Sequence, residues 1–124
     1  MSEQEKQSSF NVDDYIIGKA PEKKTVTIEE TGASFEVTVK DLSWSKRNQL
    51  VSKAMKFDSK GNTSFEGDEY VRGCLREMLV NAPWGATTES FLLSIDTRLG
   101  LALEKLVPSA FGDDLAVDKV KKEH

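Results

Sequence analysis

The residues of this chain that could do chemistry are few. Histidine, the commonest general base and a common metal ligand, occurs once in 124 residues, as His124. Cysteine also occurs once, as Cys74. With no internal histidine, Ser-His-Asp and Cys-His hydrolases and most zinc sites are excluded. A lone thiol makes no internal disulfide, so nothing implies an oxidising compartment. Four adjacent carboxylate pairs remain, Asp13-Asp14, Glu29-Glu30, Asp68-Glu69 and Asp113-Asp114. Neighbouring side chains diverge on a helix or strand, and each pair falls at an element end, where the macrodipole or plain solvation accounts for it.

One loop invites a calcium test. Counting from Asp58 puts Asn62, Ser64, Glu66 and Glu69 at positions 5, 7, 9 and 12 of a twelve-residue loop, all oxygen donors. Position 3 is Lys60, a cation where a ligand belongs, and position 6 is Thr63, where the sharp turn calls for glycine. The loop is a linker. Gly61, Gly67 and Gly73 are isolated and make no phosphate cradle. The basic run Lys119-Val120-Lys121-Lys122 is flanked by Asp118 and Glu123, and the chain carries a net charge of -4. That balance argues against nucleic acid as a partner. No apolar run approaches the ~20 residues of a membrane span, and no signal peptide opens the chain. The expectation is a protein without cofactor, metal or catalytic site.

The elements that position these residues follow from periodicity. Residues 1–9 are polar and read as a disordered lead-in. Asn11 as N-cap, Val12, Tyr15 and Ile16 at i, i+3 and i+4, and Gly18 as C′ residue predict a short helix of two turns. From Lys24 the period changes to two: Val26 and Ile28, then Phe35, Val37 and Val39 across a Thr31-Gly32-Ala33 turn, predict a β-hairpin with one apolar face. A lone hairpin is marginal in water, so the helices that follow must cover it.

Ser43 or Asp41 caps a helix running to about Lys56, with Trp44, Leu50, Val51, Ala54, Met55 and Phe57 on one arc. Arg47 falls inside that arc. Either its stem lies over the core edge while the guanidinium reaches water, or it meets a buried carboxylate or a partner. A second helix, about Asp68 to Asn81, has Tyr70, Val71, Cys74, Leu75, Met78 and Leu79 on its apolar face, which makes Cys74 a quiet core thiol. After Ala82-Pro83-Trp84-Gly85, Thr87 or Thr88 caps a third. Its phase runs unbroken to Val107, although Asp96-Thr97 equally caps a second piece after a bend, and Pro108 stops it either way. The fold class is α+β: an N-terminal hairpin packed on three to four helices. Residues 10–108 form one domain, and 109–124 a short helix or flexible charged tail.

Some apolar residues are left over. On a continuous third helix Leu93 and Leu101 lie outside the main arc, about two turns apart, and Val80 and Trp84 add to the same corner. If the helix breaks at Asp96 these leucines revert to core. A contiguous apolar patch would mark an interaction site.

The order of these pieces carries a resemblance. Gly32-Ala-Ser-Phe35-Glu-Val37 leads to Leu42-Ser-Trp44-Ser-Lys-Arg-Asn48-Gln-Leu50-Val51. Then come Tyr70-Val71-Arg-Gly-Cys74-Leu75-Arg-Glu-Met78-Leu79, Ala82-Pro83-Trp84, and Ile95-Asp96-Thr-Arg-Leu99-Gly100-Leu-Ala-Leu103-Glu-Lys-Leu106-Val107-Pro108. Over roughly residues 24 to 108 this resembles the tail assembly chaperones of long-tailed phages and prophages, in architecture and spaced apolar positions. The resemblance implies a small, mainly helical protein of the host cytoplasm that coats the tape measure protein while the tail tube is built. It also implies self-association or a frameshifted long form as further partners, and Lys121-Lys122 permits an A-rich slippery codon pair. The family offers no invariant site residue to carry over, so Trp44, Trp84, Leu93 and Leu101 are partner-binding candidates from helical phase alone. Two other readings stay open: a tail or baseplate component retained in the virion, and a small cytoplasmic protein-binding adaptor.

Overall fold

A computed structural model describes residues 9–18 and 20–111. Most of the lead-in, the acidic and basic segments beyond Phe111, and His124 lie outside the described residues.

The hairpin forms where the alternation places it. Strand β1 (Glu22–Ile28) pairs antiparallel with β2 (Ala33–Val39), with Val26 opposite Phe35. Gly32 at the turn has φ +75°, a conformation that L side chains rarely adopt, and the amide of Ala33 donates to Thr31 Oγ1 at 3.2 Å. Val26, Val37 and Val39 point into the core.

Helix α1 (Trp44–Ala54) starts at Ser43, whose Oγ accepts from the Lys46 amide at 3.0 Å. It ends two residues before the expected Lys56. The chain extends at Met55, and the Ala54 carbonyl accepts from the Glu66 amide at 2.8 Å. Met55–Phe57 (β3) then pairs with Thr63–Phe65 (β4), a second hairpin inside the segment read as a loop. Asp58 builds its turn: Oδ1 accepts from the amides of Lys60 and Asn62 at 2.9 and 2.8 Å, and Oδ2 from Asn62 Nδ2 at 3.1 Å. The carboxylate at calcium position 1 is thus an Asx-turn organiser, and the Asn62 amide is the main influence holding it below the ordinary carboxylate range. On the strand Phe57 is exposed, so it leaves the apolar arc that a longer helix would have given it.

Helix α2 (Gly67–Met78) presents Tyr70, Cys74, Leu75 and Met78 to the core and packs on α1. It too stops early. Leu79–Asn81 (β5) passes directly into the sheet and pairs antiparallel with the end of β2, giving the order β1-β2-β5. Helix α3 (Glu89–Ser94), capped by Thr88, and α4 (Thr97–Glu104), capped by Asp96, are separate pieces. Of the two expected geometries, the break at Asp96 is the one found. Leu103 of α4 is fully buried, and α4 lies against β1. The architecture is α+β, with the hairpin covered by helices as the sequence requires.

The expected two-turn helix near the N-terminus is a single 3₁₀ turn, Val12–Tyr15. Asn11 Oδ1 accepts from the Asp13 amide at 3.1 Å, and the Phe10 ring stacks on Tyr15 with centroids 5.2 Å apart. None of the four residues is buried, and so short a turn does not offset helix nucleation.

Candidate partner-binding surface

A groove of about 860 Å³ opens among the described residues. One wall is α2, including Tyr70, Val71 and Leu75. Another is the α3–α4 junction, including Leu92, Ile95 and Leu101, and the floor is closed by residues 107–111. Phe65 and Phe111 meet edge to face at its end, with centroids 4.9 Å apart. Pockets that recognise apolar side chains are concave, largely apolar and edged by a few polar groups. Here the polar groups include Asp68, Arg72 and Glu104.

The closing segment is fixed by two anchors. The Arg47 guanidinium donates to the carbonyl of Ser109, from Nη2 at 2.9 Å and Nε at 3.3 Å, and also to the carbonyl of Ala110. The Tyr70 hydroxyl donates to the Pro108 carbonyl at 2.8 Å. Burial pushes the Tyr70 phenol up to about 12, so it holds its proton as donor. Residues 109–111, grouped by sequence with the tail, therefore belong to the body. The Arg47 guanidinium meets backbone carbonyls, a partner type that residue patterning does not reveal.

Arg72 ties the groove to α3: it pairs with Asp68 one turn earlier, and its Nε donates to Glu89 Oε2 at 2.9 Å. Arg76 Nε stands 3.3 Å from Glu89 Oε1, an ion-pair contact without hydrogen-bond geometry.

The four candidate residues do not converge. Leu101 is exposed on the groove edge. Leu93 is exposed on α3 and does not line the groove. The bend at Ile95-Asp96 removes the continuous helix that would have made them one stripe. The same bend does not return them to the core. Trp84 is engaged internally: it stacks on Phe91 at 4.8 Å, meets Phe35 edge-on at 5.4 Å, and donates Nε1–H to Thr87 at 2.9 Å. Trp44, at the first position of α1, is 78% exposed. Sequence reasoning missed Phe65 and Phe111 of the groove, which become neighbours only through the β3–β4 hairpin.

No family model, curated protein sequence or solved structure matches this chain. Among the described residues no group of three metal-ligating side chains comes together, and no helix is long and apolar enough to cross a membrane. Cys74 is buried, and burial pushes its thiol above the ordinary range.

Proposed function

We propose that this protein is a phage tail assembly chaperone that binds the tape measure protein without chemistry of its own, in the host cytoplasm. The observation that carries the reading is the apolar groove between α2, α4 and residues 107–111, with Leu101 exposed on its edge. A long helical client presents apolar side chains at i, i+3, i+4 and i+7, and seating them in a groove is the general mode of helix recognition. The order of hairpin, helices and connecting corners resembles that of the chaperone family, and the resemblance supports the same assignment. Exposed Trp44 and Leu93 extend the apolar surface available to so long a client.

Co-expression with the neighbouring tape measure protein tests this. The client stays soluble and co-purifies with the chain; an insoluble client with nothing bound overturns the proposal. Leu93→Asp with Leu101→Asp abolishes capture and leaves the circular dichroism spectrum intact.

A further inference from the structure

Val107 to Phe111 all line the groove, yet the fold holds them lightly. None of the five is buried, and none belongs to a helix or strand. The last backbone bond after α4 is the Val107 amide donating to the Glu104 carbonyl at 3.0 Å. Beyond it, no amide of residues 109–111 donates to another described residue. What holds the segment is a row of three consecutive carbonyls. Pro108 accepts from Tyr70, and Ser109 and Ala110 accept from Arg47. Phe111 adds its edge-on contact with Phe65 while staying 47% exposed.

The two anchors stand on different helices, Arg47 on α1 and Tyr70 on α2, so the segment crosses the seam between them. No carboxylate pairs with Arg47 among the described residues. Its charge is met by neutral oxygens, those of residues 109 and 110 and Asn48 Oδ1 at 3.3 Å. Underneath is the Tyr70 hydroxyl, with which Cys74 and Arg47 both interact. Tyr70 is almost wholly covered and Cys74 fully buried. A segment with few buried apolar contacts and no backbone ladder opens locally, at less cost than global unfolding.

We infer that residues 107–111 are a releasable strap, which opens as a unit from the α1–α2 seam and so deepens the groove from its present floor toward Tyr70 and Cys74. The pivot is Val107, the last residue tied to α4 by a backbone bond. Closed, the strap keeps water from the Tyr70 hydroxyl and the thiol beside it. Open, it frees the Arg47 fork and that hydroxyl to donate elsewhere. As a gate on a client site the strap rests on the chaperone proposal, whereas its opening belongs to the chain alone, so the two fail separately.

Cys74 reports the opening. A thiol reagent reaches it either through global unfolding, which grows steeply with urea in proportion to the surface exposed, or through a local opening, which hardly changes with urea. Arg47→Met removes the fork and keeps the stem. Native labelling of Cys74 should then rise roughly tenfold to a hundredfold over the parent, as loss of charge-assisted bonds does, and stay nearly flat at low urea. Tyr70→Phe keeps the ring and its packing and removes only the bond to Pro108. Its labelling should rise about fivefold with the same flat dependence. Trp84→Ala weakens the fold where that ring packs on Phe35 and Phe91, and should raise labelling only along the steep slope of global unfolding. Arg47→Met and Tyr70→Phe chains that label along the steep slope, or no faster than the parent, overturn the inference. A flat rise in Trp84→Ala overturns it too, because the opening would then not belong to the strap.

Discussion

Arg47 in the first turns of α1 holds the backbone of Ser109, sixty-two positions later, through two donors of one guanidinium. An arginine in an apolar arc is here a latch: its stem crosses the core edge and its fork closes the floor of the groove. Arg47→Met keeps the stem and removes the donors. It should lower unfolding free energy by about 1.5 to 3 kcal/mol, the range for hydrogen bonds to a charged group. Hydrogen exchange should show protection lost first at residues 107–111. Equal loss across the whole chain would mean that the latch does not act locally.

Tyr70 and Pro108 form the second anchor. Tyr70→Phe should cost about 1 kcal/mol, read from the denaturation midpoint. The pH dependence has a definite sign. The unfolded phenol releases its proton near pH 10 while the folded one keeps it to about 12. The unfolded state therefore binds fewer protons in that window, and stability falls as pH rises through it. Below pH 10 the contribution is fully present. Tyr70→Phe should flatten that slope.

The two tryptophans report on different things. Trp84 is wedged against Phe91 and Phe35, so Trp84→Ala should destabilise by about 2 to 3 kcal/mol. Trp44→Phe, at an exposed position, should change stability by less than about 0.5 kcal/mol. Iodide quenching in single-tryptophan variants should reach Trp44 freely and Trp84 poorly.

Gly73 marks the closest approach of α1 and α2. A Cβ there would stand 2.9 Å from Leu50 Cδ2, the far end of a flexible side chain. For Gly73→Ala, the roughly 1 kcal/mol gained in helix propensity is offset by the shift of Leu50. Thermal melts should therefore differ little from the parent. Gly73→Val, with two further carbons, should melt well below both.

Cys74 should not react with a thiol reagent in the native state and should react at once in denaturant. Native labelling at the unfolded rate would overturn its placement in the core.

The α+β architecture was legible because apolar periodicity changes from two to 3.6 at the hairpin's end and names most of the core, from Val26 through Cys74 to Leu103. The short strands were not. Met55–Phe57 and Leu79–Asn81 continue the apolar phase of the helices before them, so periodicity alone assigns them to those helices. What stops each helix lies elsewhere in the chain: the Glu66 amide for α1 and the edge of β2 for α2. The groove was hidden for the same reason, since Phe65, Leu101 and Phe111 have no local relation. Leu93 and Leu101 were separable from the core by phase. Their supposed adjacency rested on a helix that breaks at Asp96, whose side chain caps α4 through the Leu99 amide at 3.1 Å.

Helix α2 runs into β5 with no residue between Met78 and Leu79 to act as a joint. The Met78 carbonyl itself accepts from the Lys40 amide at 2.9 Å, stitching the junction to the sheet. Leu79 pairs with Val39, so one uninterrupted stretch of backbone is groove wall at one end and sheet strand at the other.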